Sequence, residues 1–157
     1  MAADFTSFTD LLKAMLARAQ NPIQLLREVG LFIVGEMKQN IEAGGRPDQW
    51  PESIRVQRNG GQTLRNSGAL YNSIVYDVPD NQSVIVGPGG ISEKYARIQN
   101  EGGTITAKNV PYLKFFIPGV GWIQKKSVVI PARQYTNISD AAQKTFAQIL
   151  QQGIVGT

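Results

Sequence analysis

An α+β fold follows from three features of the sequence. Apolar residues recur at helical spacing towards the two ends of the chain, they alternate with polar residues through the middle, and turn-forming pairs separate the alternating segments. The expected architecture is N-terminal helices and a C-terminal helix packed on a mainly antiparallel β-sheet, with long extended loops. The 157 residues are enough to bury a real core. A single domain over residues 1–157 is expected, with a helical part at 1–43 and an extended loop at 44–66.

Phe8, Leu11, Leu12, Met15, Leu16 and Ala19 form the first helical stripe, with Ser7 or Thr9 able to cap its start. The face made by Phe5, Phe8, Leu12 and Met15 packs by default against the next helix; docking on a partner is the alternative. Asn21-Pro22 then punctuates, because Asn suits an N-cap and Pro the first helical position. A longer helix follows to about Ala43, with Ile23, Leu26, Ile33, Met37 and Ile41 as its stripe. Gly30 and Gly35 inside it each cost about 1 kcal/mol against alanine, so close approach of another backbone is expected there. Gly44-Gly45 ends the helix.

From Gly44 to about Arg65 the sequence is polar and rich in turn formers, anchored by Trp50, Ile54, Val56 and Leu64. So long a connection without periodic structure is often functional, here by contact with a neighbouring subunit; a mobile surface loop is the alternative. Ile74, Tyr76 and Val78 alternate on a strand, Pro79-Asp80-Asn81 turns, and Val84, Ile85 and Val86 return. Further extended segments are expected at Tyr95–Gln99, Thr104–Ala107, Leu113–Ile117, Val120–Gln124 and Ser127–Ile130, with Pro118-Gly119 closing a hairpin. Ser139-Asp140 caps a last helix carrying Ala142, Phe146, Ile149 and Leu150 and ending near Gly153.

Composition narrows the function. Hydrophobic residues make up 42% and charged residues 18%, which marks a globular chain rather than a disordered one. No apolar run approaches the roughly 18–20 residues that span a bilayer, and residues 1–20 lack the pattern of a secretory signal, so no membrane role is expected. The absence of cysteine rules out disulfides and thiolate zinc sites and fits a protein made and used in a reducing cytoplasm. The absence of histidine removes Ser-His-Asp and Cys-His chemistry and every histidine metal site.

The acidic residues do not replace them. Asp48 and Glu52 flank Trp50-Pro51 in a loop, where solvation is the simpler explanation. Pro79-Asp80 lacks the acid-x-lysine partner of a nuclease motif: Glu93 and Lys94 are adjacent, and Glu36 and Lys38 precede it in a helix. Gly87-Pro88-Gly89-Gly90 follows a strand, yet it has no Gly-Lys-Ser/Thr ending and Pro88 removes an amide donor, so it is no phosphate loop. No catalytic, cofactor or metal site is expected. The net charge of +4 admits contact with nucleic acid or an acidic protein face, but the basic residues are spread, with Arg55, Arg58 and Arg65 the densest local group.

Several short motifs follow one another in fixed order. Gly44, Gly45, Pro47 and Trp50 come after the long helix. Leu64, Ser67, Gly68, Leu70, Ser73 and Ile74 follow, then Val84, Val86 and Gly87. Tyr95 and Ala96 lead into Gly102-Gly103, and Lys126 precedes Ile130, Pro131, Ala132, Arg133 and Tyr135. In this order they resemble the phage virion morphogenesis family, the Mu-like tail-completion proteins, over about Gly44 to Leu150. The chain departs from the family's pattern at Gln99, where a histidine is usual, and at Gln134 and Thr136, where proline and leucine are.

The resemblance implies a structural virion protein at the tail or neck, a tail terminator or head–tail joining part without enzymatic activity. It further implies self-association into a ring, hexameric at such a position, that meets tail tube or sheath proteins on one side and head-completion or connector proteins on the other. Candidate interface residues are Trp50, Arg55, Arg58 and Arg65 in the loop Arg46–Arg65, Trp122, Lys125 and Lys126 in the stretch Gly103–Lys126, and Arg133 beyond it. Trp50 and Trp122 serve either their own core or an interface. Arg133 either ties the last helix to its own sheet through a salt bridge or reaches another subunit. The alternative function is a basic nucleic-acid-binding module contacting the DNA in the channel.

Overall fold

The longest element, helix α1 (Ile23–Ala43), starts where Pro22 accepts the first helical bond, from Leu26 N at 2.8 Å. It stops at Gly44, whose φ of 73° is open to glycine at little cost, and Gly45 N closes back on Asn40 O at 3.0 Å. The computed structural model describes residues 13, 15–17, 19 and 21–155. Phe5, Phe8, Leu11 and Leu12 of the first expected stripe lie outside the described residues, while Met15, Leu16 and Ala19 are helical.

After α1 come α2 (Ile54–Asn59), α3 (Ala69–Ser73), β1 (Ile74–Asp77), β2 (Ile85–Pro88), a single 3₁₀ turn (Gly90–Ser92), α4 (Glu93–Glu101), β3 (Gly103–Thr106), β4 (Leu113–Ile117), β5 (Gly121–Lys125), β6 (Ser127–Ile130) and α5 (Asp140–Val155). The chain is α+β. Its strands pair as three separate two-stranded sheets, β1–β2, β3–β6 and β4–β5, where one larger sheet was expected. Two-stranded ribbons are marginal alone and depend on what covers them.

Two further expectations change. Tyr95–Gln99, read as extended, lies inside helix α4. Glu93 favours the N-terminus of that helix, Arg97 and Glu101 form an i,i+4 ion pair at 2.9 Å, and Gly102, at φ 73°, ends it. Five residues were too few to separate period 2 from period 3.6. The segment 44–66 also holds helix α2, for which Ser53 is the N-cap, accepting from Val56 N.

The described residues fall into two compact units that interleave in sequence: those up to 35, 76–86 and 138–155 make one, and residues 36–75 and 87–137 the other. In the first, Val29 and Ala142 are buried. A Cβ on Gly30 would stand 2.5 Å from Tyr76 Cδ2, so the glycine is where that ring packs on the helix. Helix α5 begins with Ser139 Oγ accepting from Ala142 N at 3.2 Å. It runs through Gly153 rather than ending there, because Gly153 lets α5 approach Leu25, whose Cδ1 lies 2.4 Å from the missing Cβ position.

In the second unit Met37, Ile41, Leu70, Ile74, Ala96 and Tyr135 form the core. Each of the larger side chains gains about 1.5–3 kcal/mol from burial. Asn40, only 1% exposed, is satisfied throughout. Its Nδ2 donates to Tyr135 O (2.9 Å) and Asn137 O (2.6 Å), and its Oδ1 accepts from Arg46 Nε (2.7 Å).

Candidate functional site

The segment after α1 is built as an arm held at its base. Arg46 Nη2 pairs with Glu36 Oε2 at 2.9 Å and also donates to Glu36 O. Gly45 admits no side chain, since a Cβ would lie 2.3 Å from Asp48 O and 2.8 Å from Trp50 N. The peptide before Pro47 is cis. Trp50 is half-buried, its amide donating to Gly44 O at 2.7 Å. Further along, Asn59 Nδ2 donates to Pro118 O at 2.7 Å, joining the arm to the β4–β5 turn. Arg65 lies over the Tyr71 ring, 4.5 Å from its centroid. Gly68, at φ 78°, starts α3 in a left-handed conformation that a larger residue adopts with strain.

The second half of the unit meets at α4. Gly102 packs against the chain after β6, where a Cβ would meet Ala132 N at 2.6 Å and Ile130 O at 3.0 Å. Arg133 N donates to Gln99 O (3.0 Å), and the Tyr135 hydroxyl donates to Ala96 O (3.3 Å). Burial pushes the Tyr135 phenol up to about 12. The motif blocks around Tyr95-Ala96, Gly102 and Pro131-Ala132-Arg133-Tyr135 thus share one packed region.

Between the arm and this half lies a groove of about 610 Å³. Leu64 and Leu70 line it from the arm side, and Phe115, Ile117, Ile123 and Val128 line it from the strands. Arg55, Lys125 and Arg133 line it with Glu52. Arg133 is 6% exposed. Nη1 donates to Gln99 Oε1 at 3.3 Å and Nη2 to Pro51 O at 3.4 Å, while Nε is buried without a partner. No carboxylate pairs with Arg133 among the described residues. The salt bridge expected between Arg133 and the last helix is therefore replaced by an amide and a carbonyl, and burial lowers the guanidinium pKa.

The other face of the β4–β5 ribbon is open. In register, Phe116 faces Trp122 and Lys114 faces Gln124. Phe116 and Trp122 meet edge to face with centroids 5.6 Å apart, and Lys114 Nζ lies 5.1 Å from the Trp122 centroid. Trp122 is 68% exposed and Phe116 55%.

Of the candidate interface residues, Arg55, Lys125 and Arg133 come together on the groove. Trp50, Arg58, Arg65, Trp122 and Lys126 stand apart from it. Arg58 and Lys126 are exposed, and Arg55 donates to Gly60 O and Gln62 O. Residue-by-residue reading missed Arg46 and Asn40, and it missed the outward position of Phe116. One signal was available: from Gly102 to Ser139 the sequence holds Lys108, Lys114, Lys125, Lys126 and Arg133 and no Asp or Glu.

Chemistry is sparse elsewhere. Asp80 closes its own turn, accepting from Gln82 N, Ser83 N and Ser83 Oγ at 2.7–2.8 Å, and these bonds hold its carboxyl below the usual range. Among the described residues no group of acidic residues could hold a metal ion, and no helix is long and apolar enough to cross a membrane.

A groove lined by a buried arginine without a carboxylate partner among the described residues thus stands beside an exposed aromatic pair. The sequence model of the phage virion morphogenesis family matches residues 3–154, and the chain belongs to that family. The family points to a structural or assembly role in a bacteriophage virion. No curated protein and no solved structure matches the chain.

Proposed function

We propose that this protein is a tail-completion or neck part, several copies of which form a ring at the head–tail junction and present a docking surface to tail tube or sheath proteins and to the head connector. The observation behind this reading is the β4–β5 ribbon. It lines the groove with Phe115, Phe116, Ile117 and Ile123, and it leaves Phe116 and Trp122 largely exposed. Aromatic residues at a surface are the anchors that dominate protein interfaces. A heterologous contact closes into a ring when its rotation allows, and several weak sites on one ring bind a neighbour firmly together. Catalysis has no part in it; the work is geometric.

The test is a phage carrying a deletion of the gene. Heads and tails accumulate unjoined if the reading holds, and labelled protein appears at the junction in electron micrographs. Complete infectious particles formed without it would refute the reading.

The acid-free run from Gly102 to Ser139 favours a second reading, contact with DNA in the channel. DNA affinity that falls steeply with salt would support it. Ring formation indifferent to DNA would leave only the first.

A further inference from the structure

Arg133 is the least explained group of the molecule. Buried charges are normally paired, because an unpaired one keeps its desolvation cost without return. Here a residue only 6% exposed has an unpartnered Nε and two long hydrogen bonds to neutral acceptors, in the lining of a largely apolar groove. Arg55, Lys125 and Arg133 outnumber Glu52 among the charges that line it. Such a site fits a segment with apolar side chains and a carboxylate.

The chain contains one outside the described residues. Residues 1–12 hold Asp4 and Asp10, no Lys or Arg, and Phe5, Phe8, Leu11 and Leu12. Asp4 stands four residues before Phe8 and seven before Leu11, a spacing that would set one carboxylate and two apolar side chains on one helical face. The exposed acidic turn at Asp77–Asp80 is a poorer fit, since Asp80 already accepts three bonds from its own turn.

We infer that the groove receives residues 1–12 of a second copy of this chain, with the Asp4 carboxylate reaching Arg133 and the apolar side chains lying against Phe115, Ile117, Ile123 and Val128. This deepens the assembly reading and rests on it: each copy extends its first residues to the next. The gain is the pairing of a cation that has no carboxylate partner among the described residues.

The chain has no cysteine, so introduced thiols report without background. Full-length Ser7→Cys protein is mixed with full-length Lys125→Cys protein, a groove position, or with Arg58→Cys, an exposed position outside the groove, and treated with a short thiol cross-linker. The expected result is a severalfold higher yield of the Ser7–Lys125 heterodimer than of the Ser7–Arg58 one. Adding Asp4→Asn to the first partner lowers that yield about tenfold, the scale of one charge-assisted hydrogen bond, and Asp4→Glu restores it.

Equal yields at Lys125 and Arg58 overturn the inference. Electron microscopy of the same samples separates the two levels. Rings without the preferred cross-link remove this docking alone, whereas the absence of any ring removes the assembly reading with it.

Discussion

Asn40 and Tyr135 show how much one side chain holds in the second unit. Asn40 bonds the carbonyls of Tyr135 and Asn137, nearly a hundred residues away, and accepts from Arg46 at the base of the arm. Asn40→Leu strands two carbonyls and a guanidinium N–H, and about 2–4 kcal/mol of stability is expected to go, read as a lower urea midpoint. Ile74→Ala, at a position 1% exposed, is expected to cost about 2–5 kcal/mol by the same measurement. Tyr135 adds a pH dependence. Its folded pKa, about 12, lies above the ordinary value of 10.0, so its contribution is intact below pH 10 and lost as pH rises towards 12. Stability should fall by about 1.4 kcal/mol per pH unit in that window, and Tyr135→Phe should remove that slope. None of this was legible from residue types: Asn40 reads as one more polar residue on a helix, and only the return of a distant segment makes it a hub.

Elements were legible where a segment was long or bounded by turn formers. Helix α1 ran the expected length, and the β4–β5 hairpin closed at Pro118-Gly119, with Val120 N donating to Ile117 O at 3.0 Å. The failures were short. Tyr95–Gln99 is helical because capping and an i,i+4 ion pair outweigh an alternation only five residues long. The two glycines of α1 make a matched test. Gly30→Ala drives a methyl to 2.5 Å from the Tyr76 ring, whereas nothing lies within 4 Å of a Cβ at Gly35. Thermal unfolding should show Gly35→Ala stabilised by up to about 1 kcal/mol, the propensity difference alone. Gly30→Ala should be destabilised by about 1–3 kcal/mol, the cost of overpacking. The reverse order would show that close approach is not why Gly30 is glycine.

For the whole molecule the question is which surface assembles. Phe116 and Trp122 contribute little to their own unit while standing exposed. A Phe116→Ser, Trp122→Ser protein should therefore keep its stability to within about 1 kcal/mol, as surface substitutions do. Its ring formation should fail, as judged by sedimentation and by complementation of the deletion phage. Loss of fold and ring together would place the pair in the core instead. The charge asymmetry acts at this scale too, since five basic residues and no acid between Gly102 and Ser139 make one side of the sequence uniformly positive.

The sequence by itself determined the α+β class, the family, the long first helix and the hairpin, because periodicity, caps and turn pairs are local and repeat within a few residues. It also names Arg55, Lys125 and Arg133 as candidates, and these three line one groove. What tertiary structure decided was their roles. Burial and counter-charge depend on segments far apart in the chain, so only the fold could show Arg133 buried without a carboxylate, Trp122 turned outward, and three separate ribbons in place of one sheet.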